Sequence, residues 1–208
     1  MEVVNAVEIK EILRKSYDNF AVQREQNKMQ EWKIQLRDSF LNLLMEENKS
    51  SLLDIGAGTG KDSMFFMDNN INVMAVDLSD EMVKLCKEKG IEACQLDFYN
   101  LHQIGRKFDA VWSMNSLLHV KKSDLNLVLE EIKNILNPSG LFFMGVYGGE
   151  DSEGIWKDDI YTPHRFFSFY TDENIKKAVS SHFEIISFKR IETGGKYYFQ
   201  SIIMRNKS

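Results

Sequence analysis

The stretch LLDIGAGTG, residues 52–60, is the most informative part of this 208-residue chain. Its apolar beginning is typical of a buried strand, and glycines follow where that strand must turn into a helix. Glycine lets the backbone turn tightly and approach a ligand without a Cβ in the way. Open α/β sheets bind ligands outside the carboxyl ends of their parallel strands. We therefore expect a ligand-binding turn at Gly56, Gly58 and Gly60.

A carboxylate at the end of the next apolar run indicates the kind of ligand. Asp77 follows Gly56 by 21 residues, an offset at which an acidic residue accepts hydrogen bonds from ribose hydroxyls. Dinucleotide-binding turns have the spacing G-x-G-x-x-G, but here the third glycine comes one position early and Lys61 stands in its place. Asp54 would also repel a pyrophosphate, whereas it suits an ammonium or sulfonium cation. The pattern predicts an adenosine-type ligand.

Short apolar runs alternate with amphipathic segments from residue 51 onward. They predict strands at 51–55, 71–76, 91–96, 108–113 and 141–146, and helices at 60–69, 80–89 and 123–136. Near-continuous apolar runs suit parallel strands covered on both faces, and the alternation predicts a doubly wound α/β sheet with right-handed crossovers. Two further runs in the tail, FEIISFKRI and KYYFQSIIM, are separated by ETGG. They predict an antiparallel hairpin at the sheet edge.

Five motifs in this order resemble those of the class I S-adenosylmethionine-dependent methyltransferases. LLDIGAGTG resembles the first motif, AVDLSDEMV the second, QLDFYNL the third, FDAVWSMNSLLHV the fourth, and IKNILNPSGLFF the helix-to-strand turn of small-molecule members. The resemblance covers most of residues 50–147 and implies S-adenosyl-L-methionine as the cofactor. It also implies a Rossmann-like, seven-stranded, mostly parallel sheet with an antiparallel last strand and N-terminal helices. Asp77 would then hold the ribose, Asp97 the adenine amino group, and Phe98 would lie against the ring.

The motifs give a set of expected cofactor-binding residues. These are Asp54, Gly56, Ala57, Gly58, Gly60, Asp62, Asp77, Leu78, Met82, Asp97, Phe98 and Ser113. Ala57 stands where family members often have Cys or Gly. Asp62 is placed to help hold the methionine amino group, although an Asp in the first turn of a helix is also favourable with the helix dipole. Asp54 and Asp97 have an alternative role as ordinary turn residues.

The sequence also offers candidates for the methyl-transfer step and for the acceptor. His119 follows the fourth strand and is the candidate general base, since the unperturbed pKa of histidine is about 6.5; a structural role in holding the loop is the alternative. The candidate acceptor-binding residues are Tyr17, Tyr147, Tyr161, His164 and Arg165. Tyr17 resembles a tyrosine that closes over the cofactor in relatives, and core packing is its alternative. The scattered histidines lack metal-ligand spacing, so no metal is expected.

We expect a single methyltransferase domain over residues 1–208. Apolar residues recur every three or four positions within residues 1–48 and predict an N-terminal helical cap, including a long amphipathic helix. Residues 50–147 would form the cofactor-binding core. Residues 147–170, acidic and then aromatic, are long for an ordinary loop and predict a substrate loop or lid. Residues 171–208 would form a terminal helix and a β-hairpin.

Composition and charge exclude several classes of protein. A hydrophobic content of 43% and a single pair of cysteines argue against disorder and against a disulfide scaffold. No apolar run has the length of a signal-peptide core or a membrane span, so we expect a cytoplasmic enzyme with no membrane partner. The oligomeric state is left open. A net charge of −5 argues against a surface that grips nucleic acid.

The acidic part of residues 147–170 bears on the acceptor. Its carboxylates, near the expected pocket mouth, favour a neutral or cationic acceptor; they are Glu150, Asp151, Glu153, Asp158 and Asp159. The leading hypothesis is in-line methyl transfer to an O, N or S atom of a small molecule. The alternatives are methylation of an RNA base, for instance in tRNA, and a non-catalytic S-adenosylmethionine-binding regulatory module. The glycine spacing disfavours a nicotinamide dehydrogenase.

Overall fold

The computed structural model describes residues 5–207, and a seven-stranded sheet forms its centre. In chain order the strands are β1 (Ser51–Ile55), β2 (Asn72–Asp77), β3 (Glu92–Gln95), β4 (Phe108–Met114), β5 (Leu136–Gly148), β6 (Ser152–Ile155), β7 (Phe166–Phe169), β8 (Phe183–Ile191) and β9 (Tyr198–Asn206). The order across the sheet is β3-β2-β1-β4-β5-β9-β8, and β6 pairs with β7 separately. Strands β1 to β5 pair in parallel, whereas β9 runs antiparallel to β5 and β8. The predicted α/β sheet with an antiparallel last strand is confirmed.

Local sequence signals set the ends of the helices. The helices are α1 (Ala6–Gln26), α2 (Glu31–Glu46), α3 (Lys61–Asp68), α4 (Asp80–Glu88), α5 (Leu125–Ile135) and α6 (Asp172–Ser180). Asn5 caps α1 through a capping box, and Ser79 and Thr171 cap α4 and α6 with their hydroxyl oxygens. Helix α5 ends before Pro138, as predicted, because proline has no N–H for a continuing helix.

The N-terminal region contains two helices where the periodicity suggested a continuous helical pattern. The backbone is extended at Asn27 and Gln30, between α1 and α2. The ammonium of Lys61 donates to the carbonyls of Arg24 and Asn27 and holds this connection beside the sheet. The break lets α1 cross the ends of the strands while α2 packs on a sheet face. Within residues 5–207, no helix is both long enough and apolar enough to cross a membrane.

Apolar side chains fill both faces of the sheet. On one face α5 buries Val128 and Ile132 in the same cluster as Val111 and Phe142. On the other, Phe40 of α2 packs near Trp112 and Phe143, whose rings stack with centroids 3.9 Å apart. The predicted amphipathic helix therefore packs on the sheet, as its apolar stripe requires. These two layers hold the carboxyl ends of β1, β2 and β4 in a fixed arrangement.

The segment 147–170 is not an open loop throughout. Its ends pair as the hairpin β6–β7, with Ser152 opposite Phe169 and Ile155 opposite Phe166. The phenylalanine run that forms β7 is fully buried, so it anchors the segment to the core. The sequence-based prediction missed this hairpin because four-residue strands are too short for a convincing alternating pattern.

Candidate active site

A groove runs across the carboxyl ends of β1, β2 and β4, and we call it the glycine cleft. Gly56, Ala57 and Gly58 line it, and both glycines have positive φ angles, 69° and 56°. A Cβ on Gly56 would lie 2.3 Å from the Cβ of Ser116, so no larger residue fits there. A Cβ on Gly58 would meet nothing closer than an Arg24 nitrogen at 3.9 Å, and it would point into the cleft. The turn therefore brings bare backbone against a ligand site.

Three of the predicted cofactor-binding residues lie behind the cleft. A Cβ on Gly60 would be 2.8 Å from the sulfur of Cys86, so this glycine serves the packing of α4. Met82 is fully buried. Ser113 is also buried, and its hydroxyl hydrogen bonds to that of Ser116 at 2.6 Å. These residues support the cleft and are not among those that line it.

Asp77 closes β2 and faces the glycine turn. Its Oδ2 accepts from the Gly58 amide at 2.8 Å, and its Oδ1 accepts from the Ser79 amide at 2.9 Å. Burial raises the pKa of Asp77, and these two hydrogen bonds oppose the rise. A carboxylate oxygen has two lone pairs, so Asp77 can also accept from two hydroxyl groups of a ligand. Leu78 lines the same part of the cleft.

Asp54 and Asp62 border the next part of the cleft; Asp54 is buried, and the side chain of Asp62 is 13% exposed. The Ser63 hydroxyl donates to Asp54 at 2.6 Å. Burial raises the pKa of Asp54 well above its ordinary value, and the charge of Asp62 raises it further. Burial also raises the pKa of Asp62, against the charge of Arg37 and a hydrogen bond from the Trp112 indole. A cationic group bound here would stabilise both carboxylates in their charged form.

The far end of the cleft is narrow because α1 covers it. Asp97 accepts from the Lys10 ammonium at 2.7 Å and from the Tyr99 amide at 2.9 Å. Phe98 and Leu78 line two small cavities here, of 30 and 50 Å³. Such volumes hold about two and four water molecules. Side chains of α1, among them Lys10, share the smaller of these cavities with Asp97 and Phe98.

His119 lies where the glycine cleft meets a larger cavity. Its Nδ1 is 2.6 Å from the carbonyl oxygen of Phe166, which assigns the ring proton to Nδ1. Nε2 is then the acceptor of the Tyr17 hydroxyl at 2.6 Å. Burial, followed by the charge of Arg165, lowers the pKa of His119 to about 3. The imidazole is therefore neutral, and the lone pair of its Nε2 accepts the hydrogen bond from the Tyr17 hydroxyl.

Arg165 and its neighbours hold this arrangement in place. The Arg165 guanidinium donates two hydrogen bonds of 2.8 Å to Asp159 and one of 3.0 Å to the Tyr17 hydroxyl oxygen. It also lies 3.9 Å from the centre of the Tyr161 ring. Tyr161 is buried, stacks on Phe20 with centroids 4.4 Å apart, and accepts from Arg24 at 2.9 Å. Tyr161 thus supports the junction from behind.

The larger cavity has a volume of about 640 Å³ and we call it the aromatic cavity. Aromatic side chains form much of its wall: Tyr17, Tyr147, Trp156, Phe167, Phe169 and Tyr197. Tyr17, Arg24, Asn115 and His119 line both this cavity and the glycine cleft, so the two spaces adjoin. The predicted acceptor residues Tyr17, Tyr147 and Arg165 come together here. His164 is exposed and does not line the cavity.

Arg24, Lys33 and Asn115 are among the lining residues that sequence reasoning missed. Arg24 and Lys33 come from helices with no recognisable motif. Asn115 stands inside the quoted fourth motif, and its positive φ of 57° is a conformation that asparagine tolerates. Its Oδ1 is buried without a hydrogen-bond partner in the protein. Asn115 could have been found by asking which residue ends β4.

Among residues 5–207, no group of three or more His, Cys, Asp or Glu side chains could hold a metal ion. His102 and His182 instead contact Glu131 and Glu130, at 2.8 and 3.2 Å.

Comparison with known proteins agrees with this geometry. Residues 52–140 match the family model described as "Methyltransferase domain". The chain is 29% identical over 136 residues to the malonyl-[acyl-carrier protein] O-methyltransferase of Hamiltonella defensa subsp. Acyrthosiphon pisum (strain 5AT), which covers 62% of this chain and 52% of that protein. It is 27% identical over 123 residues to "Probable tRNA methyltransferase 9B" of Homo sapiens, which covers 58% of this chain and 27% of that protein. The chain thus spans about half, or less, of these relatives.

Solved structures show the same fold over the whole chain. The 1,6-didemethyltoxoflavin-N1-methyltransferase of Burkholderia thailandensis was solved with 1,6-didemethyltoxoflavin and S-adenosylhomocysteine. It matches with a TM-score of 0.76 and 19% identity, covering 100% of this chain and 93% of that one. The class I architecture therefore extends beyond residues 52–140 to the N-terminal helices and the terminal hairpin.

Proposed function

We propose, from the premise that residues 52–140 belong to the methyltransferase-domain family, that this chain transfers a methyl group from S-adenosyl-L-methionine to an O, N or S atom of a small molecule. One observation carries the proposal: the glycine cleft, with its strand-end carboxylates, opens into an aromatic cavity large enough for a second molecule. The two spaces adjoin at Tyr17, Asn115 and His119. We infer that the donor occupies the first space and the acceptor the second.

The residues of the glycine cleft fit the chemical groups of the cofactor. Asp77 has lone pairs for two ribose hydroxyls, and Asp54 and Asp62 offer a negative site to the methionine ammonium. The open space above Gly58 admits a ligand to the backbone. Phe98 and Asp97 suit the adenine end, provided that Lys10 releases Asp97. The same carboxylates would repel a pyrophosphate, which disfavours a dinucleotide.

The cofactor, when bound, supplies a methyl group on a positively charged sulfur. The contribution of the chain is then to align the acceptor atom with that methyl group and to exclude water. Positioning of this kind is worth on the order of 7–11 kcal/mol in rate. Tyr17 and Asn115, at the junction of the two spaces, are placed to orient the acceptor. The hairpin β6–β7 contributes Phe167 and Phe169 to the wall of the aromatic cavity.

We assign His119 a positioning role in preference to that of general base. A general base works best when its pKa lies near the operating pH, and the pKa of His119 is about 3. Its Nε2 instead accepts a hydrogen bond from the Tyr17 hydroxyl and fixes the tyrosine at the junction. The acceptor atom would accordingly react from a form that needs no strong base, such as an ionised oxygen or an unprotonated amine.

Calorimetric titration tests the cofactor part of the proposal. We expect the wild-type chain to bind S-adenosylmethionine and S-adenosylhomocysteine, and Asp77→Ala to lose tenfold or more in affinity. Asp80→Ala removes an exposed carboxylate three residues along the chain and is the matched control. Absence of heat at millimolar ligand contradicts the proposal, and unchanged affinity in Asp77→Ala contradicts the assignment of the ribose site.

Mass spectrometry of a metabolite extract incubated with isotopically labelled cofactor tests the transfer. A labelled small molecule is the expected result. Label found only in added tRNA would support RNA methylation, an activity class that the printed name of one relative raises. Cofactor binding without label in either pool would indicate a non-catalytic binding module.

A further inference from the structure

We propose that the acceptor is an aromatic small molecule with an anionic group, and that Lys33 binds this group at the junction of the glycine cleft and the aromatic cavity. The inference rests on the proposed function, since it names the substrate class of that same site. It assigns Lys33 as a specificity-determining residue.

The first observation is an excess of unpaired positive charge. Lys33 and Arg24 both line the aromatic cavity and the methionine part of the glycine cleft. Within residues 5–207, neither forms an ion pair with a carboxylate, and the Arg24 guanidinium donates only to the neutral Tyr161 hydroxyl. Lys33 is partly buried, and its nearest aromatic contact is the Trp32 ring at 5.1 Å. An anion placed between these cations would offset the cost of burying them.

The second observation concerns the other cavity charges, which are largely neutralised. Arg165 is paired with Asp159 at 2.8 Å, and Lys196 with Glu150 at 3.0 Å. The remaining carboxylate on the cavity wall is Asp158, and it is exposed. An exposed charge is screened by water and salt, whereas a partly buried one is screened much less. On the wall of the aromatic cavity the partly buried charges without an ion-pair partner are therefore positive, whereas Asp54 and Asp62 line the adjoining glycine cleft.

These unpaired cations favour an anionic acceptor, whereas the carboxylates of residues 150–159 led us to expect a neutral or cationic one. Three of those acids form ion pairs with basic side chains: Glu150 with Lys196, Asp151 with Lys122, and Asp159 with Arg165. The net charge of a segment indicates the field at a site only when its charges are unpaired. The composition of residues 150–159 is thus a poor guide to the acceptor.

The third observation is the shape and polarity of the wall. Trp156 packs edge-on against Phe167 with centroids 5.2 Å apart, and Phe169 stacks on Tyr197 at 4.2 Å. These contacts hold the rings as rigid, apolar surfaces in the wall of the cavity that Lys33 also lines. Planar aromatic bodies pack favourably on such rings, in stacked or edge-to-face geometry. The cavity accordingly suits a flat apolar body with its charge directed to the junction.

Each of the two cations is assigned to one ligand, Arg24 to the carboxylate of the cofactor and Lys33 to the anionic group of the acceptor. Arg24 borders both parts of the glycine cleft, the one beside Asp77 and the one beside Asp54 and Asp62, so it can serve the methionine carboxylate of the cofactor. Lys33 then remains for the acceptor. Burial, together with the charge of Arg24, lowers the pKa of Lys33 to about 8, so the ammonium form still predominates at neutral pH.

Three probes with one ring system and different charges test the proposal. They are 2-naphthoate, 2-naphthamide and 2-naphthylmethylamine, each titrated calorimetrically at pH 7 with and without saturating S-adenosylhomocysteine. We expect the acid to bind at least tenfold more tightly than the amide, and the amine to bind most weakly. Equal or tighter binding of the amide or amine overturns the proposal, and so does failure of all three probes to bind.

Variants of Lys33 show which residue is responsible. Lys33→Met should abolish the preference for the acid, and Lys33→Arg should retain it. Lys84→Met, at an exposed lysine of α4, is the control and should behave as wild type. A preference that survives in Lys33→Met contradicts the role of Lys33, provided that the variant's thermal unfolding matches that of the control.

The same titrations separate this inference from the proposed function. S-adenosylhomocysteine alone is titrated into wild type and Lys33→Met, and both should bind it. If it binds and the acid is not preferred, the substrate class is wrong and the proposed function stands. If S-adenosylhomocysteine does not bind, the proposed function fails. The titrations of the three probes without cofactor then still show whether Lys33 recognises an aromatic anion.

Discussion

Replacing Asp159 by Asn is predicted to destabilise the chain far more than the same change at the adjacent Asp158. Asp159 is 1% exposed and its partner Arg165 is 11% exposed, so the ion pair is shielded from water. Asp159 accepts three hydrogen bonds from this arginine, two from the guanidinium and one from its backbone amide. Asp158 is exposed. The two variants therefore differ in burial and pairing, and hardly at all in chemistry.

The size of the effect follows from the fate of Arg165. Breaking a buried pair costs about 3–5 kcal/mol, because the remaining charge is left uncompensated. An amide at position 159 can still accept from the backbone N–H, which favours the lower value, about 3 kcal/mol. For a chain of this length, 1 kcal/mol corresponds to about 2–4 °C in Tm, so Asp159→Asn should lower Tm by about 6–12 °C. Asp158→Asn should change Tm by no more than about 2 °C.

Thermal unfolding followed by circular dichroism at pH 7 measures both variants. Burial alone would raise the pKa of Asp159, but the hydrogen bonds and charge of Arg165 outweigh it and the pKa lies below its ordinary value. The stability from this group is thus fully present above the unfolded-state pKa of about 4, and it is lost as the pH falls through the lower folded-state pKa. The gap between the variants should be constant from pH 8 to 6. Equal Tm values for the two variants would refute the reasoning.

Three further predictions concern the glycine cleft and its surroundings. Gly56→Ala should lower the free energy of unfolding in denaturant by about 2–4 kcal/mol, because its Cβ would lie 2.3 Å from the Ser116 side chain. Gly58→Ala should lower it by about 1 kcal/mol and mainly weaken cofactor binding in calorimetry. Equal losses of stability in the two variants would contradict this prediction. Burial raises the pKa of the Cys86 thiol to about 12, so a thiol reagent should modify Cys94 first and Cys86 only on unfolding, as peptide mass mapping would show. His119, with a pKa of about 3, should stay neutral from pH 8 to 5, and a ring NMR shift that titrates near pH 6.5 would contradict the burial argument.

The fold could be predicted because it depends on patterns that are local in sequence. Each strand of the parallel core is a short apolar run, and each helix between them has its own start and stop signals. Thr171 and Pro138 mark a helix start and a helix end where the structure has them. The hairpin β6–β7 was missed because its stability comes from packing of Phe167 and Phe169 against the core, which a local pattern does not reveal.

The sequence predicted which residues gather at the carboxyl ends of the strands better than it predicted which of them face the cleft. Asp54 and Asp77 lie near the carboxyl ends of adjacent parallel strands, so both come to one edge of the sheet. The motif cannot tell which of its residues face the ligand and which face the core. Gly60 and Ser113 belong to motifs, yet they pack against α4 and Ser116 behind the cleft.

Tyr17, Tyr147 and Arg165 were predicted and line the aromatic cavity, but the rest of its wall could not be predicted, because it is assembled from distant parts of the chain. Arg24 and Lys33 carry no motif, and their importance lies in the absence of a carboxylate partner among the described residues. Pairings such as Lys196 with Glu150 join residues 46 positions apart. Only the tertiary structure shows which charges are neutralised and which remain available to a substrate.

Helix α1 is a wall that both spaces of the proposed site share. It contributes Lys10 to the narrow end of the cleft, Tyr17 to the junction and Arg24 to both spaces. A shift of α1 would therefore reshape the cleft and the aromatic cavity together, whereas a movement of the Lys10 side chain would change only the narrow end. Under the proposed function, the position of this one helix would couple the binding of the methyl donor to that of the acceptor.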